Sequence, residues 1–129
     1  MMSVKLLLIT HGRIGNELLN SAQATFGGDL PMTCESVSIS QDCEPDELIA
    51  DIQIIIDALT ENTELLILTD LYGATPCNIA KHFAQHAKIN IIAGVNLPML
   101  IRLLNYSNSS SDELLNKAIS GGREGILVV

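Results

Sequence analysis

Short runs of apolar residues alternate along the chain with longer stretches in which apolar residues recur every three or four positions. The short runs are typical of strands buried in a parallel sheet, and the longer stretches are typical of amphipathic helices. The predicted strands are Val4–Thr10, Thr33–Ile39, Glu64–Thr69, Ile89–Ala93 and Gly125–Val129. The predicted helices are Gly15–Phe26, Pro45–Leu59, Pro76–Gln85, Leu97–Leu104 and Asp112–Ile119. This alternation predicts one α/β domain over residues 1–129.

Net charge and cysteine content exclude several classes of function. The 129 residues include 15 Asp and Glu against 7 Lys and Arg, a formal net charge of −8. Such a charge excludes nonspecific nucleic-acid binding, opposes binding to an anionic membrane and favours a partner with a basic face. The apolar runs are too short to insert into a membrane. Three cysteines without CxxC spacing indicate neither a disulfide framework nor a zinc site, so we expect a cytoplasmic protein.

Candidate chemistry follows the two strongest predicted strands. His11 comes after the first of them and Asp70 after the third. Parallel sheets bind ligands beyond the carboxyl ends of their strands, so these side chains meet if the two strands are neighbours. A carboxylate holds one imidazole nitrogen as a donor and leaves the other free to accept a group. Gly12 and Gly73 let backbone amides approach an anion, so the pattern indicates phosphoryl transfer on histidine.

Simpler interpretations of the same residues stay open at this point. A histidine at a strand end is often a hydrogen-bonded loop residue without chemistry. Asp70 suits a turn, and Thr75 before Pro76 suits the N-cap of a helix.

Three other residues carry weaker signals. His82 and His86 stand four positions apart on a predicted helix, a spacing that suits a metal pair, but no Glu completes an HExxH motif. A solvated helix face is the favoured interpretation, and no metal is expected. Cys77 near a helix N-terminus is interpreted as a small buried thiol rather than a reactive one.

Four motifs, in order, resemble one family over essentially the whole chain. They are Ile9–Gly12 (ITHG), Asp70–Asn78 (DLYGATPCN), Ala93–Leu100 (AGVNLPML) and Gly122–Gly125 (GREG). The chain resembles the enzyme IIA domains of the mannose class in the bacterial sugar phosphotransferase system. The third motif is the most specific of the four.

The resemblance implies a phosphotransferase component that carries a transient phosphohistidine and needs no cofactor. His11 is expected to accept a phosphoryl group from an HPr-type phosphocarrier and to pass it to a IIB component for sugar uptake and phosphorylation. Asp70 is expected to orient the imidazole, and the Thr75 hydroxyl to lie beside the phosphoryl group. The backbone groups expected to bind that phosphoryl group belong to Gly12, Gly73 and Ala74.

The resemblance also implies a doubly wound, mainly parallel sheet with strand order 2-1-3-4. An antiparallel C-terminal strand is expected to be exchanged between the subunits of a homodimer. The residues alone equally allow this strand to fold back on its own sheet, and Gly121 and Gly122 before it are suited to a hinge. Because the sequence shows no IIB domain before it stops at Val129, a separate IIB protein is the expected acceptor.

Two related functions stay open. One is a stand-alone regulatory module whose partners respond to phosphorylation of His11, and the other is a dihydroxyacetone-kinase phosphocarrier. A response-regulator receiver is excluded, because Thr10 and His11 stand where that class needs an acidic cluster.

Overall fold

A four-stranded parallel sheet organises the computed structural model, which describes residues 2–129. Its strands are β1 (Ser3–His11), β2 (Cys34–Ile39), β3 (Thr63–Thr69) and β4 (Ile89–Ala93). The helices are α1 (Ile14–Phe26), α2 (Pro45–Asp57), α3 (Thr75–Lys81), α4 (Leu97–Asn105) and α5 (Ser111–Glu124). The strand order is β2-β1-β3-β4 with every pair parallel, which confirms the predicted order and the α/β fold.

The sheet carries a separate apolar core on each face because successive strand residues point to opposite sides. In β1, Leu6 and Leu8 face the core formed with α1, α4 and α5. Leu7 and Ile9 face the core formed with α2 and α3. All four are fully buried, so β1 is a central strand covered on both faces, as its continuous apolar run predicts.

Strand register determines where the functional side chains meet. Ile9 pairs with Thr69 on one side of β1, and His11 pairs with Ile39 on the other. His11 and the residue after Thr69 therefore leave the sheet at the same carboxyl edge, where ligands bind in this class of fold.

The third predicted helix is shorter than its apolar pattern indicates. It ends at Lys81 rather than Gln85. The N–H groups of residues 82, 83, 84 and 86 then donate to the carbonyl three residues earlier. This tighter turn leaves Phe83 only 5% exposed in the core with α2. Burial of Phe83 accounts for the apolar spacing that predicted a longer helix.

The predicted glycine hinge is wrong, because both glycines lie inside α5 and pack against α4. A Cβ on Gly121 would come 2.6 Å from the Cβ of Arg102, and one on Gly122 would come 3.1 Å from Cε of Met99. Real Cβ atoms do not approach other heavy atoms as closely as 2.6 Å. Gly121 therefore serves the close crossing of the two helices rather than a bend.

The predicted C-terminal strand does not form within the described chain. Residues 126–129 are irregular, and Ile126 and Leu127 are 75% and 77% exposed. A strand that forms only by exchange needs a second subunit to pair with, so the exchange itself stays a prediction. Among residues 2–129, no helix has the length and apolarity that a membrane crossing requires.

Candidate functional site

His11 ends β1, and its ring is held from the side of β3. Its Nδ1 lies 2.8 Å from Oδ2 of Asp70, the first residue after β3. The backbone N–H of His11 donates to the same oxygen at 3.1 Å. Because β1 and β3 are neighbours, the structure brings together the two residues that the sequence pattern joined only conditionally.

The pair determines which nitrogen of His11 is free. A carboxylate only accepts hydrogen bonds, so Nδ1 carries the hydrogen and Nε2 keeps its lone pair. The side chain of Asp70 is 11% exposed, whereas that of His11 is 46% exposed. The carboxylate is thus shielded while the ring remains accessible, which suits a nucleophile that must meet a reactive group from outside.

The electrostatics favour the ionised form of Asp70. Burial raises the pKa of this carboxyl, but hydrogen bonds from the ring and the backbone N–H of His11, together with a backbone bond at Asp70 and the charge of the ring, lower it, and the net shift is downward. The resulting pKa lies below the ordinary value of 3.8. Near neutral pH, Asp70 is therefore an anion beside the ring, placed to stabilise positive charge that develops there.

Gly12 turns the chain away from the sheet directly after His11. Its φ is +47°, in the left-handed region that glycine adopts without a Cβ penalty, and its N–H donates to the carbonyl of Ile39 at 2.9 Å. This bond ties the β1–α1 loop to the end of β2. It also engages the amide that was expected to bind a phosphoryl group, so that role stays a prediction.

Thr10 holds the other end of the same loop, a role that was not predicted from the sequence. The N-cap residue Arg13 makes no side-chain capping bond, and Thr10 Oγ1 instead accepts the N–H of Gly15 at 2.8 Å. Thr10 is fully buried, and a Cβ on Gly15 would come 2.5 Å from the hydroxyl oxygen of Ser36. A threonine followed five residues later by glycine, across a strand end, is the signal that could have revealed this contact.

A cavity of about 560 Å³ opens beside His11, on the face of the sheet that carries α2 and α3. Thr75 contributes to its wall as the first residue of α3. The N-cap of α3 is Ala74, so the interpretation of Thr75 as that cap is wrong. The lining residues are His11, Gly12, Ile39, Ser40, Gln41, Cys43 and Thr75. Ser40 and Gln41 were also missed, because a loop sequence does not reveal which strand end it faces.

Gly73 and Ala74 lie in the turn between β3 and α3, outside the lining of this cavity. Gly73 has a φ of +81°, and its carbonyl accepts the side-chain amide of Asn78 at 3.3 Å. The N–H of Ala74 donates to the carbonyl of Leu71 at 3.3 Å. The turn is therefore fixed by its own hydrogen bonds, and phosphoryl binding by these two residues stays a prediction.

The weaker candidates are not assembled into a site. His82 contacts the Phe83 ring edge-on, and Nδ1 of His86 accepts the N–H of Lys88, so the two imidazoles are engaged separately. Within residues 2–129, no group of three or more metal-ligating side chains could hold an ion. Cys77 is 2% exposed, in keeping with a buried thiol.

Comparisons with known proteins decide the family. The family model described as PTS system fructose IIA component matches residues 5–119. The chain belongs to this family. The resemblance to the mannose class is confirmed by relatives that are named as mannose-specific or sorbose-specific IIA or IIAB components. Over 128 residues, 97% of its length, the chain is 29% identical to the "PTS system mannose-specific EIIAB component" of Escherichia coli (strain K12).

Two further comparisons agree with this assignment. The "PTS system sorbose-specific EIIA component" of Klebsiella pneumoniae is 29% identical over 116 residues, covering 86% of this IIA chain and 81% of that protein. The solved "Mannose/sorbose specific IIA subunit of phosphotransferase system" from Enterococcus faecalis superposes with a TM-score of 0.85 at 27% identity, covering 100% and 96% of the two chains. The IIA chain spans only 39% of the Escherichia coli protein.

Proposed function

We propose that this IIA protein is a phosphocarrier of a sugar phosphotransferase system, with Nε2 of His11 as the transient carrier atom. The observation that carries the proposal is the 2.8 Å contact between His11 Nδ1 and Asp70 Oδ2. It leaves one nitrogen nucleophilic and puts an anion where the ring becomes positive. Membership of a family of phosphotransferase components supports the same chemistry.

The proposed transfer moves a phosphoryl group between two imidazoles. The lone pair of His11 Nε2 attacks phosphorus, the nitrogen–phosphorus bond of the donor's phosphohistidine breaks, and the donor ring keeps that electron pair. The hydrogen on Nδ1 stays in place, so the phosphorylated ring is cationic and Asp70 balances its charge. The hydroxyl of Thr75 lies beside the transferred group. Onward transfer repeats these steps with an acceptor imidazole.

The proposed donor is an HPr-type protein, and the proposed acceptor is a separate IIB protein. Leu71 and Tyr72, directly after Asp70, are 60% and 78% exposed. Large apolar side chains kept in water beside a reactive group suit a protein surface that covers them during transfer. The net charge of −8 favours partners with a basic face. All of these proteins are proposed to act in the cytoplasm.

The protein is further proposed to act as a homodimer that exchanges residues 126–129. Ile126 lines a cavity of about 420 Å³ with Ile91 and Ile92 of β4, the strand at the open edge of the sheet. Apolar residues beside an unpaired edge favour addition of a strand. This feature supports exchange onto β4 of a second copy.

The proposed function is tested by labelling. The full chain is incubated with phosphoenolpyruvate, enzyme I and an HPr-type protein, and an acid-labile, base-stable phosphoryl adduct is expected. His11→Ala should abolish the adduct, whereas His86→Gln, which replaces another exposed histidine, should label normally. Circular dichroism of each variant verifies that the fold is retained. Labelling that persists in His11→Ala and moves to His82 or His86 would contradict the proposal.

A further inference from the structure

The loop between β2 and α2 forms one wall of the cavity beside His11. Ser40 and Gln41, its first two residues, line that cavity. The hydroxyl of Ser40 and the side-chain amide of Gln41 are hydrogen-bond donors on this wall. Within residues 2–129, neither side chain is engaged in a hydrogen bond with another side chain or with the backbone. Their donors are therefore available to a group that enters the cavity.

The position of Asp70 directs the reactive nitrogen of His11 toward this loop. Asp70 follows β3 and binds Nδ1, while β2 lies on the opposite side of β1. Nε2 is on the far edge of the ring from Nδ1. A phosphoryl group on Nε2 would therefore extend away from Asp70, and the cavity that His11 lines with Ser40 and Gln41 is the space open to it. The bond from Gly12 N–H to Ile39 O keeps that loop against His11.

The charges around the cavity are unusual for a site that holds a phosphoryl group. Its lining includes no lysine or arginine. Exposed acids, Asp42 and Glu44, instead flank the lining residue Cys43 along the loop. A cation would hold the phosphoryl dianion tightly, whereas neutral donors stabilise it less and acids nearby favour its departure. Such a balance suits a group that must be passed on.

We propose that Ser40 and Gln41 donate hydrogen bonds to the oxygens of the phosphoryl group on His11, as a neutral cradle that sets how firmly the group is held. This inference rests on the proposed function of His11. The two side chains supply hydrogen bonds only. They transfer no proton, and the bonds that form and break in the transfer step are those already described. Gln41 reaches furthest and contributes most, and Ser40 contributes less.

The test measures an equilibrium rather than a rate. Phosphorylated HPr-type protein is mixed with the full chain, and the phosphoryl group is allowed to distribute between the two proteins. Because the equilibrium constant does not depend on how well the proteins dock, it reports the stability of the phosphohistidine itself. Gln41→Leu should shift the distribution toward the donor by about tenfold, and Ser40→Ala by about threefold, as expected for lost hydrogen bonds to a charged group.

Two more variants sharpen the result. Gln41→Glu keeps the size of the side chain but adds a negative charge, so it should shift the equilibrium further than Gln41→Leu. Gln23→Leu replaces an exposed glutamine on α1 and should leave the distribution unchanged. The melting temperatures of all four variants should match that of the parent, since the replaced side chains are exposed.

Two outcomes overturn the inference in distinguishable ways. If His11 labels normally but Gln41→Leu and Gln41→Glu both keep the parental distribution, the cradle is wrong and the phosphocarrier function stands. If His11 is never labelled, the proposed function fails and the inference fails with it.

Discussion

The carboxyl edge of the sheet and residues 126–129 differ in how far contacts within the chain hold them in place. At the carboxyl edge, hydrogen bonds link His11 to Asp70 after β3, and Gly12 to Ile39 at the end of β2. At the C-terminal end, Ile126 and Leu127 are apolar and exposed. The contrast shows that the geometry of His11 and Asp70 depends on strand adjacency within one chain, whereas Ile126 and Leu127 stay uncovered in the part of the chain that the structure describes.

The largest expected effect is the loss of phosphoryl-transfer rate when Asp70, at the carboxyl edge, is replaced. Asp70→Asn preserves the shape of the side chain but can present its amide donor to Nδ1, which favours the wrong tautomer of His11. Phosphoryl transfer should fall on the order of 10²–10⁴-fold, by analogy with other carboxylates that orient a catalytic histidine. Rapid-quench labelling measures the rate, and urea unfolding measures stability. A loss of stability that matches the loss of rate would instead make Asp70 a purely structural residue.

Removal of residues 126–129 tests the proposed role of the C-terminal end in dimer formation. The truncated chain should elute as a monomer and unfold at lower temperature, because the proposed exchanged strand is lost. Its His11 should still be phosphorylated, since the pair with Asp70 lies within one chain. Light scattering and labelling measure the two properties. A truncated chain that remains a stable dimer would show that the exchange is wrong.

Gly121→Ala tests whether the glycines of α5 serve packing rather than bending. The added Cβ would meet the Cβ of Arg102, which cannot rotate away, so the free energy of unfolding should fall by roughly 1–3 kcal/mol. Gly28→Ala is the matched control, because a Cβ there meets nothing within 4 Å. Chemical denaturation compares the two variants. Equal stability in both would argue against a close crossing of α4 and α5.

The smallest expected effect is the pH dependence of stability. The lowered pKa of Asp70 means that its bonds to His11 stabilise the fold above pH 3.8, the ordinary value, and that this contribution is lost as pH falls through the lowered pKa. The difference in unfolding free energy between the parent and Asp70→Asn should therefore shrink on acidification below pH 3.8. Urea titrations across this range measure it. A difference that grows as the pH falls would have the wrong sign.

The sequence predicts most of the carboxyl edge of the sheet and little of the C-terminal end of the chain, for physical reasons. Continuous apolar runs identify β1 and β3, and ligand chemistry at strand ends then singles out His11 and Asp70. Thr10 was missed because its hydroxyl caps α1 from the preceding strand rather than from the N-cap position. Gly121 was misread because glycine permits both a hinge and a close helix crossing, and only tertiary contacts distinguish them.

The central claim is that Asp70 holds Nδ1 of His11 and so leaves Nε2 to take the phosphoryl group. Nitrogen-15 NMR of the chain labelled in its histidine rings tests this directly, because a nitrogen bonded to phosphorus shows a one-bond coupling to phosphorus-31. In the phosphorylated chain, we expect this coupling at Nε2 of His11 and a hydrogen on Nδ1. Coupling at Nδ1 would contradict it, since that nitrogen could not then remain bound to Asp70.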